Sequence, residues 1–105
     1  MIIKLTKKIY HEDHEYEELN LNLEGLNCFD LLQVEDLGRT LDKDRFQLWG
    51  TRHIMLLAAR AAGVQFTVLY ELSAKDFMTV QLAVVNFFSD IISSASQEIN
   101  SDVPF

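Results

Sequence analysis

Cysteine, proline and glycine are scarce in this chain of 105 residues. It has one cysteine, Cys28, one proline, Pro104, and four glycines. A single cysteine excludes an internal disulfide framework and a zinc site built on paired cysteines, and it suits a reducing compartment such as the cytoplasm. The low proline and glycine content argues against collagen-like, linker-like and loop-rich chains. A chain of this length supports one domain with one hydrophobic core.

Long apolar runs and an excess of basic charge are also missing. The longest wholly apolar run covers residues 54–59 and ends at Arg60, and no basic segment precedes a long apolar one. We therefore expect no membrane-spanning segment, no secretory signal and no membrane partner. The net charge is −7, so we expect no nucleic-acid partner. Residues 11–45 hold eleven acidic and three basic side chains, whereas residues 1–10 hold three lysines. This asymmetry fits either cross-strand pairing on a hairpin or electrostatic steering of a partner.

The pattern of apolar residues predicts an α+β fold that is mainly helical. Alternation over residues 2–23 predicts a two-stranded antiparallel β-hairpin. Three helices follow, over about residues 28–37, 46–62 and 73–93. Asn27 is the expected cap of the first helix and Gly38 its expected end, while Ser73 and Asp76 have the spacing of a capping box on the third. Residues 64–72 fit either a short strand or a buried connector. Residues 1–93 thus form a single domain, and residues 94–105 a polar, flexible tail.

The third helix carries more apolar residues than one core contact requires. Its apolar arc spans about 220°, against about 100° for a helix that faces only its own core. Either this helix is the central one, covered on most sides, or part of it meets another chain. We predict that the line through Phe77, Val84 and Phe88 faces the core. The apolar residues on either side of this line, which we call the flanks, are predicted to face a partner. Trp49 and Arg52 join the flanks because Trp and Arg are enriched at binding hot spots. The predicted partner-binding residues are Met78, Leu82, Val85, Phe87, Trp49 and Arg52.

No arrangement of residues points to catalysis. His11 and His14 lie among acidic residues in the predicted hairpin turn, where we expect them to be solvated and not to bind a metal. The sequence has no nucleophile motif of the G-x-S-x-G type and no glycine-rich phosphate-binding loop. We therefore expect no enzyme activity, no cofactor, no metal and no small-molecule substrate.

Five short segments resemble a known family when they are taken in order. They are KLTKKI at residues 4–9, YEELNL at 16–21, NCFDLL at 27–32, ELSAKDF at 71–77 and VNFF at 85–88. This order resembles the tail assembly chaperones of long-tailed phages and prophages, over roughly residues 3–90. The resemblance implies a small, non-catalytic, largely helical protein of the host cytoplasm that is absent from the mature virion. The resemblance also implies that the protein binds the tape measure protein and keeps it soluble for polymerisation of the tail tube. The tail tube protein is a second possible partner.

We therefore predict a tail assembly chaperone that also self-associates, because exposed apolar faces on small domains commonly pair. Two alternatives from other classes stay open. One is an acidic adaptor or inhibitor protein that binds a basic partner, which salt-sensitive binding would favour. The other is a structural tail-completion protein, which would be found in purified virions.

Overall fold

A computed structural model describes the backbone of residues 1–102 and the side chains of residues 1–94. The predicted α+β, mainly helical fold is confirmed, with an N-terminal two-stranded antiparallel hairpin followed by four helices. Single turns of 3₁₀ helix lie at Leu23–Gly25 and Lys43–Arg45. The strands are β1 (Ile2–His11) and β2 (His14–Asn20), and the helices are α1 (Cys28–Asp42), α2 (Thr51–Ala62), α3 (Phe66–Leu69) and α4 (Ala74–Asp102).

The hairpin has a tight turn at one end and a wide bulge in the middle. Glu12 and Asp13 form a two-residue turn with φ angles of 49° and 67°, as type I′ hairpin turns require. Lys4 pairs with Glu18 and Ile9 with Tyr16, so residues 5–8 of β1 lie opposite a single residue of β2. The bulge leaves backbone N–H groups of β1 free to bind elsewhere in the fold.

Cross-strand charge pairing accounts for part of the charge asymmetry of the sequence. The Nζ atom of Lys8 lies 3.4 Å from Glu15 and 3.1 Å from Glu17. Both partners come from the acidic segment that begins at residue 11. The pairing predicted for the hairpin is therefore confirmed at Lys8, although exposed pairs of this kind add little stability.

The central helix of the fold is α2. It packs against α1, α3, α4 and β2, and its small side chains, such as Ala58 and Ala61, allow close approach. The sequence had left open that the third predicted helix, α4, was the central one, and the structure shows that it is not. The buried residues of α2 are His53, Ile54, Met55, Leu56, Leu57, Ala58, Ala59 and Ala61.

In its described part, helix α4 packs mainly against α2 and β1, on the side that carries Val80 and Val84. Val80 and Val84 are fully buried, and Phe77 and Phe88 pack half-buried against the same core. The helix continues through Asp102 instead of ending at residue 93, because residues 93–102 contain no glycine or proline that would stop it. Flexibility of residues 94–105 stays a prediction, and residues 103–105 lie outside the described part of the chain.

Two predicted helix boundaries were wrong for a shared reason. Helix α1 begins as predicted, with a capping box between Asn27 and Asp30, but it continues past Gly38 to Asp42. Gly38 is buried inside α1 because the ring of Phe46 packs on it. Since Phe46 turns inward to make this contact, residues 46–50 form a turn and α2 begins at Thr51. Residues 64–72 form a connector that contains the short helix α3, with Val68 and Leu69 buried.

The contact between Gly38 and Phe46 predicts a destabilising alanine substitution. A Cβ atom at residue 38 would lie 2.1 Å from Cε1 of Phe46. Although alanine favours helix by about 1 kcal/mol over glycine, we expect G38A to lower the free energy of unfolding by about 1–3 kcal/mol through overpacking. Urea denaturation measures this. Adding F46L to G38A should recover part of the lost free energy of unfolding. If the effects of the two substitutions on this free energy simply add, the proposed contact is contradicted.

Candidate partner-binding surface

Helix α4 presents a stripe of apolar side chains to solvent. Leu82 is 58% exposed, Met78 56%, Ile92 53% and Val85 38%. When Ser89 is included between Val85 and Ile92, successive positions are four, three, four and three residues apart, which places them on one line of a helix at the average spacing of helix–helix seams. We call Met78, Leu82, Val85, Ser89 and Ile92 the α4 stripe.

A shallow groove adjoins the C-terminal half of the α4 stripe. Its volume is about 310 Å³, and its lining is mostly apolar. Trp49, from the turn before α2, forms one wall, and its ring centroid lies 5.2 Å from that of Phe88. The groove therefore brings together two predicted residues that are distant in sequence, Trp49 and Val85. Its lining consists of Trp49, Val85, Phe88, Ser89 and Ile92.

Trp49 is held in place by the buried side chain of His53. The backbone N–H of Trp49 donates a hydrogen bond of 2.8 Å to Nδ1 of His53, and the two ring centroids are 5.1 Å apart. Trp49 has a φ of 65°, a left-handed conformation that is unusual for a bulky residue. Burial lowers the pKa of His53 from its usual value, while the charge of Glu35 acts in the opposite direction.

Two of the predicted partner-binding residues lie away from the α4 stripe. Phe87 is half-buried and packs against the core, edge-to-face with Phe88 at 5.1 Å, so it is not on the exposed side of α4. Arg52 is engaged within the chain: its Nε atom lies 3.2 Å from both carboxylate oxygens of Asp42, and its guanidinium also bonds to the hydroxyl of Tyr70. These contacts leave Met78, Leu82, Val85 and Trp49 as the predicted residues that share one surface.

Sequence reasoning missed several exposed apolar residues. Helical spacing places Ile92 on the same flank as Met78, Leu82 and Val85, and the structure confirms this exposed position, but Ile92 was not among the predicted partner-binding residues. Phe29 and Leu32 of α1 and Leu48 of the following turn are each more than half exposed. No periodic pattern in the sequence marks these three, because α1 also carries apolar residues on its buried side.

The two histidines of the hairpin differ from each other. His14 is exposed, as predicted, but Nε2 of His11 lies 3.0 Å from the Thr67 hydroxyl of α3, and its side chain is only 18% exposed. The expectation that both are solvated was therefore wrong for His11. Among the side chains of residues 1–94, no group of three or more histidine, cysteine or acidic residues could hold a metal ion.

By length and composition alone, the segment Ala74–Ser94 of α4 could cross a membrane. The expectation of no membrane span considered only uninterrupted apolar runs and missed this segment. A single helix of this kind is weak support for a span. Only 11% of the segment is buried, although Val80 and Val84 within it pack against the rest of the chain. The surface as a whole is an apolar line with an aromatic-walled groove beside it.

Comparison of the chain with protein-family models, curated proteins and solved structures finds no match in any of the three.

Proposed function

We propose that this protein is a non-catalytic tail assembly chaperone whose α4 stripe covers apolar helical segments of a tape measure protein. The observation that carries the proposal is the exposure of the α4 stripe on a helix whose other side is already packed against α2 and β1. Large apolar side chains that share one exposed line, here interrupted only by Ser89, are typical of interaction sites.

The chemistry of the stripe favours a helix as its occupant. Residues 77–89 contain no charged side chain, so the surface offers nothing to a partner selected by charge. Side chains that are alternately three and four residues apart interdigitate best with the same spacing on a second helix. A flexible thioether at Met78 adapts to different side chains, which suits a protein that must accept many segments of a long client.

The identity of the client comes from the family resemblance. The segments ELSAKDF and VNFF, which contribute most to that resemblance, both lie on or next to α4. A chaperone of this kind would act in the host cytoplasm and leave the tail before the virion is complete. It would release its client as tail tube subunits assemble around the tape measure.

Leu82→Asn is expected to abolish solubilisation of the client without unfolding the chaperone. Burying a leucine contributes about 1.5–3 kcal/mol, so binding should weaken by about 10- to 100-fold. The measurement is the soluble fraction of the tape measure protein encoded in the same genome, co-expressed with each variant, together with a thermal melt of the variant. Thr79→Asn is the matched control, because it introduces the same side chain on an exposed position of α4 outside the stripe.

The same assay distinguishes the alternatives. Equal client solubility with Leu82→Asn and Thr79→Asn would contradict the proposed surface. Capture of a basic partner that is lost at high salt would instead indicate an acidic adaptor or inhibitor, since exposed charges are screened by salt. Recovery of the protein from purified virions by mass spectrometry would indicate a structural tail-completion protein.

A further inference from the structure

We propose that His53 is a positioning residue of the groove: its neutral imidazole fixes Trp49 as the groove wall, and its protonation releases that wall. The positioning of Trp49 stands on the geometry of the free protein. The consequence for client binding rests on the proposed function, because it concerns the same surface.

The hydrogen bond between Trp49 and His53 determines which nitrogen carries the imidazole proton. The donor is a backbone N–H, so Nδ1 of His53 must be the acceptor and carry no hydrogen. The proton of the neutral ring is therefore on Nε2. Protonation would place a second N–H at Nδ1, pointing at the N–H of Trp49, and the bond would be lost.

The turn that carries Trp49 depends on this bond. With a φ of 65°, Trp49 occupies a region that costs free energy for residues other than glycine. The turn is closed by a single backbone bond, from the N–H of Gly50 to the oxygen of Gln47 at 3.1 Å, and the contact between Trp49 and His53 holds it against α2. Loss of that contact would let the indole leave Phe88, and the groove would lose one wall.

Charged groups near His53 do little to accommodate an imidazolium. From α1, Glu35 acts on the ring, but its carboxylate is already paired with Arg39 at 2.8 Å. Arg39 in turn lies over the ring of Phe46, which packs against His53. On the same helix, Arg52 is bonded to Asp42.

Helix α4 contributes an aromatic ring to the surroundings of Trp49 and His53. Phe88 contacts Trp49, and Asp90, two residues further on, projects about 200° around the helix from Phe88. The rings of Phe46 and Trp49 both lie against His53. Burial beside them disfavours the charged imidazolium, so we expect protonation to be accompanied by a rearrangement of the turn at Trp49.

Trp49 is the only tryptophan of the chain, so its fluorescence reports on the groove wall directly. We expect the emission maximum of the free protein to shift to the red as the pH is lowered, with a midpoint below 6.5, since burial depresses the pKa of His53 below that value. The stability that the neutral ring provides is complete above pH 6.5 and is lost as the pH falls through the pKa in the folded state.

His53→Asn is the matched control. Its Oδ1 atom can take the place of Nδ1 as acceptor but does not titrate, so the red shift should disappear while the emission at neutral pH is retained. In the native protein, the NMR chemical shift of the Trp49 backbone amide should change with pH, with the same midpoint as the titration of the His53 ring. A red shift that persists in His53→Asn, or a Trp49 amide that does not follow the titration of His53, would overturn the proposal.

Client binding separates this inference from the proposed function. Co-purification of the tape measure protein at pH 7.5 and at a pH below the midpoint of the fluorescence shift should show a loss at the lower pH with native protein and none with His53→Asn. Binding that is equal at both pH values despite the fluorescence shift would overturn the regulatory part alone. A fluorescence shift without client binding at either pH would contradict the proposed function and support the positioning of Trp49.

Discussion

Asp76→Ala is expected to lower the free energy of unfolding by about 3 kcal/mol or more. The Asp76 carboxylate is 2% exposed, and it accepts hydrogen bonds from the N–H and the hydroxyl of Thr6 and from the N–H of Lys7, at 2.9–3.3 Å. These donors lie in the bulge of β1, so one side chain of α4 holds the hairpin to the helical part of the fold. Removal breaks hydrogen bonds to a charged acceptor, each worth about 1.5–3 kcal/mol, and water replaces part of this loss because Thr6 and Lys7 lie at exposed positions.

The same carboxylate predicts a loss of stability in acid. Burial alone would raise the pKa of Asp76, but the hydrogen bonds from Thr6, Lys7 and Ser73 outweigh it and hold the pKa below the usual 3.8. Because the pKa is depressed in the folded state, the stabilisation is present above pH 3.8 and is lost as the pH falls through the folded pKa. Urea denaturation between pH 7 and pH 2 should show a larger loss of stability in the native protein than in Asp76→Ala, in which other carboxylates with a depressed pKa, such as Asp30, still titrate.

Asp90→Asn is the control for Asp76. It changes an exposed carboxylate on the same helix, and we expect an effect within about 0.5 kcal/mol. Asp76→Asn should lie between the two, because the amide keeps one acceptor oxygen and loses the charge. An effect of Asp76→Ala as small as that of Asp90→Asn would show that Asp76 does not hold the hairpin.

Val84→Asn is expected to unfold the domain, whereas Val85→Asn should leave it folded. Val84 is fully buried, and Val85 is 38% exposed on the α4 stripe. Valine and asparagine have nearly equal helix propensities, so the comparison isolates burial. A buried amide without partners costs several kcal/mol in addition to the lost apolar contacts. This is a large share of the total stability of a small domain.

Far-UV circular dichroism with thermal melts distinguishes the two variants. We expect Val84→Asn to show little cooperative melting and Val85→Asn to melt within a few degrees of the native protein. The reverse order would mean that α4 is rotated so that the α4 stripe faces the core. Equal melting temperatures would contradict the burial of Val84.

Periodicity predicted those parts of the fold that depend on local spacing. Strand alternation located the hairpin, and Asn27 marked the start of α1 because its side chain caps the backbone N–H of Asp30. On α4, the 3.6-residue period correctly placed Val84 on the core side and Met78, Leu82 and Val85 on the exposed side. These predictions succeed because each depends on residues that are near one another in sequence.

Boundaries failed where a distant residue changed the local preference. Gly38 would normally end a helix, but the ring of Phe46 fills the space beside it and α1 continues. The spacing of Ser73 and Asp76 correctly indicated a helix start, and the Asp76 N–H bonds to the Ser73 hydroxyl oxygen. The Asp76 carboxylate, however, reaches across to Thr6 and Lys7 of β1, seventy residues away for Thr6.

The sequence by itself determined the class of fold, the hairpin and an apolar surplus on α4, since a helix has a fixed period and its apolar arc can be counted from the residues alone. Only the tertiary structure decided that α2 is central, that Phe87 faces inward and that Trp49 and Val85 line one groove. The physical reason is that the burial of a side chain depends on which other elements pack against it, and those elements are distant from it in sequence. The contact of Trp49 with His53 requires the turn over residues 46–50, and Phe46 at the start of this turn packs on Gly38 of α1.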